Sequence, residues 1–143
     1  MEPSLIFLED ENFIVKTSQI PASGLGLYTK KSWKKGERVI QYLGEYYTYN
    51  MGVEPQGDYC YAPSRGQWID AEDMTTSSWG RYVNAPRKSK FKSNLRWVNK
   101  VYKVDEEHAY SWMVARRNIK AGEELFIGYG ATFWKDVAKS ISK

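Results

Sequence analysis

The feature that most constrains this chain is a series of short strand-like segments set close together. Each is rich in aromatic or β-branched residues, and glycine or proline turns separate several of them. The segments cover residues 13–17, 25–29, 38–43, 67–69, 95–98, 109–114 and 125–127. An amphipathic pattern predicts one helix, over residues 132–141. We therefore expect a mostly β, α+β fold with a short C-terminal helix.

The composition indicates one folded domain over residues 1–143 and excludes several classes of protein. With 42% hydrophobic and 27% charged residues, the chain is not a disordered tail. A single cysteine (Cys60) and a single histidine (His108) exclude a disulfide framework and an ordinary zinc cluster. No apolar run approaches the roughly 20 residues of a membrane span, and no secretory signal is visible. We expect a soluble intracellular protein without a metal site or a membrane partner.

Aromatic residues are unusually frequent, since five Phe, six Trp and eleven Tyr make up 15% of the chain. So many tyrosines favour either an aromatic-lined groove or a strand-rich core. A pI near 9.0 allows an acidic partner, although a net charge of +4 is also an ordinary surface charge. One less favoured hypothesis is a basic β domain that binds nucleic acid through exposed rings.

Two stretches of the chain resemble each other. Residues 35–44 and 120–130 each contain a tight turn, a strand-like segment and then a tyrosine close to a glycine. The pattern predicts either two similar hairpins or two tyrosines, Tyr42 and Tyr129, that similar strands bring to one place. The pattern alone favours the hairpins.

Six short motifs follow one another in a distinctive order. They are GLGLY at 24–28, KKGE at 34–37, YLGE at 42–45, WIDA at 68–71, GRYVN at 80–84 and GEELFIGYG at 122–130. In this order, over about residues 13–134, the chain resembles the SET domain family of protein-lysine methyltransferases. The resemblance implies several small β-sheets with a C-terminal pseudoknot. It also implies S-adenosylmethionine on one face and a target lysine that enters a narrow channel from the other.

The resemblance assigns roles to particular residues. Tyr129 is expected beside the transferred methyl group, with Tyr42 as a second catalytic tyrosine. Ile127 and Met113 are expected to line the substrate channel, where an aliphatic Ile127 leaves room for higher methylation states. The residues expected to bind the cofactor are Leu25, Gly26, Leu27, Asn84, Ala85 and Trp134. Glycine at position 26 would let the nucleotide approach the backbone closely.

Two departures from the family pattern leave an alternative open. Ala85 stands where most members have histidine after the asparagine, and Met113 stands where the PR branch carries a tyrosine. The first hypothesis is a methyltransferase that acts on a histone tail in the nucleus, or in a host nucleus if a virus encodes it. The alternative is a weak or inactive SET/PR-like module that binds proteins. Direct binding of nucleic acid is not expected.

Overall fold

The computed structural model describes residues 6–51, 59–64, 66–86 and 89–128, and β-strand is their main regular secondary structure. Their strands are β1 (Ile6–Glu9), β2 (Phe13–Thr17), β3 (Leu25–Thr29), β4 (Arg38–Thr48), β5 (Cys60–Ser64), β6 (Gln67–Asp70), β7 (Leu95–Trp97), β8 (Tyr102–Lys103) and β9 (His108–Ala115). Two short 3₁₀ helices, Tyr49–Met51 and Trp79–Tyr82, complete them. The expected mostly β fold is confirmed. In the described part of the chain, no helix is long and apolar enough to cross a membrane.

The strands form two antiparallel sheets. The smaller has the order β1-β2-β3, and the larger has the order β5-β6-β4-β9-β7, with β8 paired to β9. Strand β4 is central because residues 38–45 pair with β9 while residues 45–48 pair with β6. It continues past the predicted end at residue 43, since Tyr46 and Tyr47 pair with β6.

Several elements differ from the sequence-based prediction. Strand β1 is mostly exposed at a sheet edge and β8 has only two residues, so neither carries a clear apolar pattern. Residues 125–127 are not a strand, because this segment forms only isolated bridges. Its neighbours come from separate parts of the chain, which prevents a continuous ladder. The predicted helix over 132–141 lies outside the described residues.

The alternation of side chains along β9 separates two faces of the larger sheet. The core-facing residues are buried: Ala109, Ser111 and Met113. The alternate residues are half-buried and lie on what we call the outer face: His108, Tyr110 and Trp112. The register places Tyr42 opposite Ser111 on the core face and Gln41 opposite Trp112 on the outer face.

Close packing at Gly80 holds the 3₁₀ helix Trp79–Tyr82 against β4. A Cβ atom at Gly80 would lie 2.4 Å from the carbonyl oxygen of Gln41 and 2.9 Å from Cε of Met113. The Ser78 hydroxyl donates to the same Gln41 oxygen at 2.5 Å. The helix, which ends two residues before Asn84 in sequence, therefore lies directly against β4.

Candidate functional site

Strand β3 lies beside the segment 124–128, which we call the C-terminal segment. The backbone N–H of Leu125 donates to the Leu27 oxygen at 2.8 Å, and that of Ile127 donates to the Asn84 oxygen at 3.0 Å. The Asn84 side-chain amide also donates to the Leu25 oxygen at 2.9 Å. The structure therefore brings together Leu25, Leu27 and Asn84, three of the residues expected to bind the cofactor.

Asn94 fixes the other side of the C-terminal segment. Its buried side-chain amide donates to the backbone oxygen of Glu124 and accepts from the backbone N–H of Phe126, both at 2.8 Å. Its backbone N–H also donates to the Phe126 oxygen at 3.1 Å. Sequence analysis assigned no site role to this residue, because its contacts with the C-terminal segment are distant in sequence.

Gly26 faces a buried carboxylate. A Cβ atom at this position would lie 2.3 Å from Oε2 of Glu124, which is 2% exposed. The same Oε2 accepts the Ser18 hydroxyl at 2.6 Å, and Oε1 accepts the Gln19 N–H at 2.8 Å. The structure thus gives a different reason for glycine from the expected one, because Glu124 needs the space. A role for Gly26 in cofactor binding stays a prediction.

Three aromatic rings pack together next to Gly128, and we call Tyr42, Tyr61 and Trp97 the aromatic cluster. The rings of Tyr61 and Trp97 stack with centroids 3.5 Å apart. Tyr42 meets both edge-on, 5.4 Å from Trp97 and 6.1 Å from Tyr61. The Trp97 indole N–H donates to the Gly128 oxygen at 2.8 Å. The cluster therefore contacts the residue that immediately precedes Tyr129.

The phenols of the aromatic cluster are buried and hydrogen-bonded. Tyr42 is 1% exposed and its hydroxyl donates to the backbone oxygen of Tyr59. The Tyr61 hydroxyl donates to Oδ1 of Asn99 at 2.5 Å. Burial raises the pKa of Tyr61. Such rings can exclude water from a small cation or amine and present π faces to it.

The remaining predicted site residues occupy three kinds of position. Met113 is fully buried and pairs in register with Trp97, so it adjoins the aromatic cluster. Ile127 is 1% exposed and forms a bridge to Leu95. Ala85 is half-buried directly after Asn84. Tyr129 and Trp134 lie outside the described residues.

Sequence reasoning missed Tyr61, Trp97 and Glu124. Trp97 lies two residues after the buried Leu95, on the same face of β7, with the exposed Arg96 between them, so a period-two pattern was the available signal. Tyr61 falls in a stretch rich in glycine and proline, which predicts mostly loop. Glu124 follows Glu123 after a turn, and no local pattern separates the buried carboxylate from the half-exposed one. Within the described ranges, no three His, Cys, Asp or Glu side chains group as metal ligands would.

Comparison with known sequences identifies relatives over most of the chain. The SET domain model matches residues 24–130. The histone-lysine N-methyltransferase set-1 of Caenorhabditis elegans is 34% identical over 130 residues, which cover 82% of this chain and 50% of set-1. The histone-lysine N-methyltransferase EZH2 of Chaetomium thermophilum is 29% identical over 134 residues, which cover 84% of this chain and 8% of EZH2. The chain thus spans half or less of the length of these relatives.

Comparison with solved structures identifies similar folds in a protein complex of the same fungus, Chaetomium thermophilum. A structure of polycomb repressive complex 2 from Chaetomium thermophilum matches with a TM-score of 0.62 and 28% identity, over 85% of this chain and 16% of the matched one. A structure of this complex in an autoinhibited conformation, bound to S-adenosylmethionine, matches with a TM-score of 0.63 and 28% identity. That match covers 92% of this chain and 17% of the other.

Proposed function

Because the chain belongs to the SET domain family, we propose that it is a protein-lysine N-methyltransferase that uses S-adenosylmethionine and acts on a histone tail in the nucleus. Two relatives carry the name histone-lysine N-methyltransferase, which supports the reaction and the substrate class. The aromatic cluster beside Gly128 is the observation that carries the proposal. It excludes water around Gly128, which directly precedes in sequence the residue that the family pattern assigns to the chemistry, Tyr129.

The chemistry of β3 and Asn84 fits the polar amino-acid end of S-adenosylmethionine. Backbone groups of β3 and a side-chain amide, already in contact at 2.9 Å, combine hydrogen-bond donors and acceptors in one place. We assign the cofactor to Leu25, Gly26, Leu27, Asn84 and Ala85, with Trp134 as the aromatic partner of the adenine. When bound, S-adenosylmethionine supplies an electrophilic methyl group on a cationic sulfur.

The target lysine must lose its proton before it can accept a methyl group. An ordinary lysine has a pKa of about 10.4, so fewer than about one amine in a thousand is neutral at pH 7. A dry channel disfavours the charged ammonium by desolvation, and a cation at its end disfavours it by repulsion. The buried rings of Tyr42 and Tyr61 and the half-buried ring of Trp97 supply the desolvation in this proposal.

Positioning of the amine is the second requirement, because an in-line displacement depends on alignment of the three reacting atoms. We assign this task to the hydroxyl of Tyr129, assisted by Tyr42. The bond from the Tyr42 hydroxyl to the Tyr59 oxygen holds that phenol in one orientation. Ile127 and Met113 would line the channel, and the aliphatic side chain of Ile127 would leave space for more than one methyl group.

Radiolabelled methyl transfer from S-adenosylmethionine to a panel of histones tests the proposal, with the modified lysines located by mass spectrometry. Calorimetry on the same protein measures cofactor binding. Transfer to a lysine together with saturable cofactor binding is the expected result. Absence of both would refute the enzyme proposal. Histone binding without any transfer would instead support a protein-binding module, the alternative that Ala85 and Met113 keep open.

A further inference from the structure

The outer face of the larger sheet carries a row of aromatic side chains remote from the aromatic cluster, on the opposite side of β9. Tyr102 stacks on Tyr110 with centroids 5.2 Å apart and ring planes 13° apart. Trp112 meets Tyr110 edge-on at 6.2 Å. All three side chains are half-buried, so each ring keeps part of its surface accessible. The proposed methyl transfer uses none of them.

Positive charge flanks these rings. Arg38 lies over the ring of Trp112 at 5.5 Å, and Lys100 lies 5.4 Å from the ring of Tyr102. In register, Val114 has Arg38 on one side and Arg96 on the other, so both arginines lie on the face that carries Trp112. Both arginines and Lys100 are exposed.

Charge divides the outer face into two halves. The arginines lie at the end of the sheet where β9 finishes. At the other end, Glu45 is opposite His108, and Asp105 contacts the imidazole of His108 at 2.9 Å. A negatively charged ligand would therefore be attracted to the arginine end and repelled from the carboxylate end.

We propose that the arginine end of this outer face binds single-stranded nucleic acid. Aromatic rings on a sheet can stack on unpaired bases, while neighbouring cations contact the phosphates. The positive charge favours a polyanionic ligand. The aromatic rings favour a polyanion that carries flat bases, as nucleic acid does, over an acidic peptide. The proposal departs from the sequence-based expectation, because only the register shows that these rings and arginines share one surface.

Fluorescence anisotropy with a labelled single-stranded DNA of about 12 nucleotides tests this proposal. In the double variant Arg38→Gln/Arg96→Gln, we expect weaker binding and a salt dependence reduced by about 1.4 in log–log slope, at about 0.7 per phosphate contact. Tyr102→Leu should weaken binding by about 10-fold through lost stacking. The matched control, Lys31→Gln/Lys120→Gln, removes two exposed charges outside the outer face and should retain most of the affinity.

Other ligands or modes of binding at the outer face would give different results, and each of these results would overturn the proposal. Equal losses of affinity in Arg38→Gln/Arg96→Gln and in Lys31→Gln/Lys120→Gln would indicate general attraction by net charge. Affinity for a DNA duplex equal to that for the single strand would indicate a surface that recognises charge alone. Affinity for polyglutamate equal to that for the single strand, with no effect of Tyr102→Leu, would indicate the same. If sedimentation shows a dimer that the arginine substitutions dissociate, the outer face binds a second copy of the chain instead. No detectable binding would also refute it, whatever the methylation assay shows.

Discussion

The carboxylate of Glu124 occupies the space that a side chain at Gly26 would need, with 2.3 Å between Oε2 and a Cβ atom built on the glycine. The side chain of Glu124, in the C-terminal segment, thus lies directly against the backbone of β3. It also ties both to the turn after β2, because Ser18 and Gln19 donate to the same carboxylate. The relationship makes position 26 sensitive to substitution whether or not a cofactor binds there.

Gly26→Ala should lower the free energy of unfolding by about 1–3 kcal/mol, because the added methyl group overpacks a buried site. The cost should shrink when Glu124 is also replaced by alanine, since that change removes the atoms in conflict. Denaturant unfolding of the two single variants and the double variant measures this coupling, expected at about 0.5–3 kcal/mol. Strict additivity would show that Glu124 is not the obstacle.

Glu124→Gln tests the carboxylate itself with almost no change in volume. The Ser18 hydroxyl donates to one of its oxygens, and the backbone N–H and side-chain amide of Gln19 donate to the other, so a glutamine amide would face donors with its own N–H groups. We expect a loss of about 1–3 kcal/mol in unfolding free energy. The matched control is Glu123→Gln, which breaks a partly exposed ion pair with Arg117 at 2.8 Å and should cost about 1 kcal/mol or less. Equal losses of unfolding free energy in Glu124→Gln and Glu123→Gln would contradict the assignment of Glu124 as a buried, hydrogen-bonded carboxylate.

How far the sequence predicts this structure depends on whether the deciding contacts are local. Strands β2 and β3 follow from local pattern, because their aromatic and β-branched residues end at turns. The adjacency of Leu25 and Asn84 follows from motif order, which reflects the family. The burial of Glu124 follows from neither, since it depends on donors more than a hundred residues away in sequence.

The same distinction applies to the aromatic residues. Composition indicates that rings dominate the chain, and Tyr42 follows from its motif. The sequence does not reveal that Tyr61 stacks on Trp97 or that Tyr102 stacks on Tyr110. These pairs depend on which strands become neighbours. Strand order in a sheet with non-sequential neighbours is a long-range property that short patterns do not encode.

His108 offers a direct test of surface electrostatics, because it is the only histidine in the chain and gives a single imidazole signal. A hydrogen bond to Asp105 raises the pKa of His108. Asp105→Asn should lower that pKa towards the usual value of about 6.5, as measured by an NMR titration. The control Glu106→Gln removes a charge from the same turn and should change the pKa less.

The sign of the stability effect follows from the direction of this shift. A histidine with a raised pKa in the folded state contributes stability below its unfolded pKa, and that contribution disappears as pH rises through the folded pKa. The wild-type protein should therefore exceed Asp105→Asn in stability by more at about pH 5.5 than at about pH 9. A stability difference that does not vary with pH would contradict the role of His108.

Tyr129→Phe is the most direct test of the proposed catalytic residue. The change deletes one hydroxyl and keeps the ring, so stability should change by only about 1–2 kcal/mol. If the hydroxyl aligns the amine mainly in the transition state, kcat falls while cofactor affinity stays nearly constant. A loss of about 2–3 kcal/mol corresponds to turnover slower by roughly 30- to 150-fold. Single-turnover methylation and calorimetry on both proteins measure the two effects, with Tyr102→Phe on the outer face as the matched control. Equal methylation rates in the wild type and Tyr129→Phe would mean that the Tyr129 hydroxyl takes no part in the reaction.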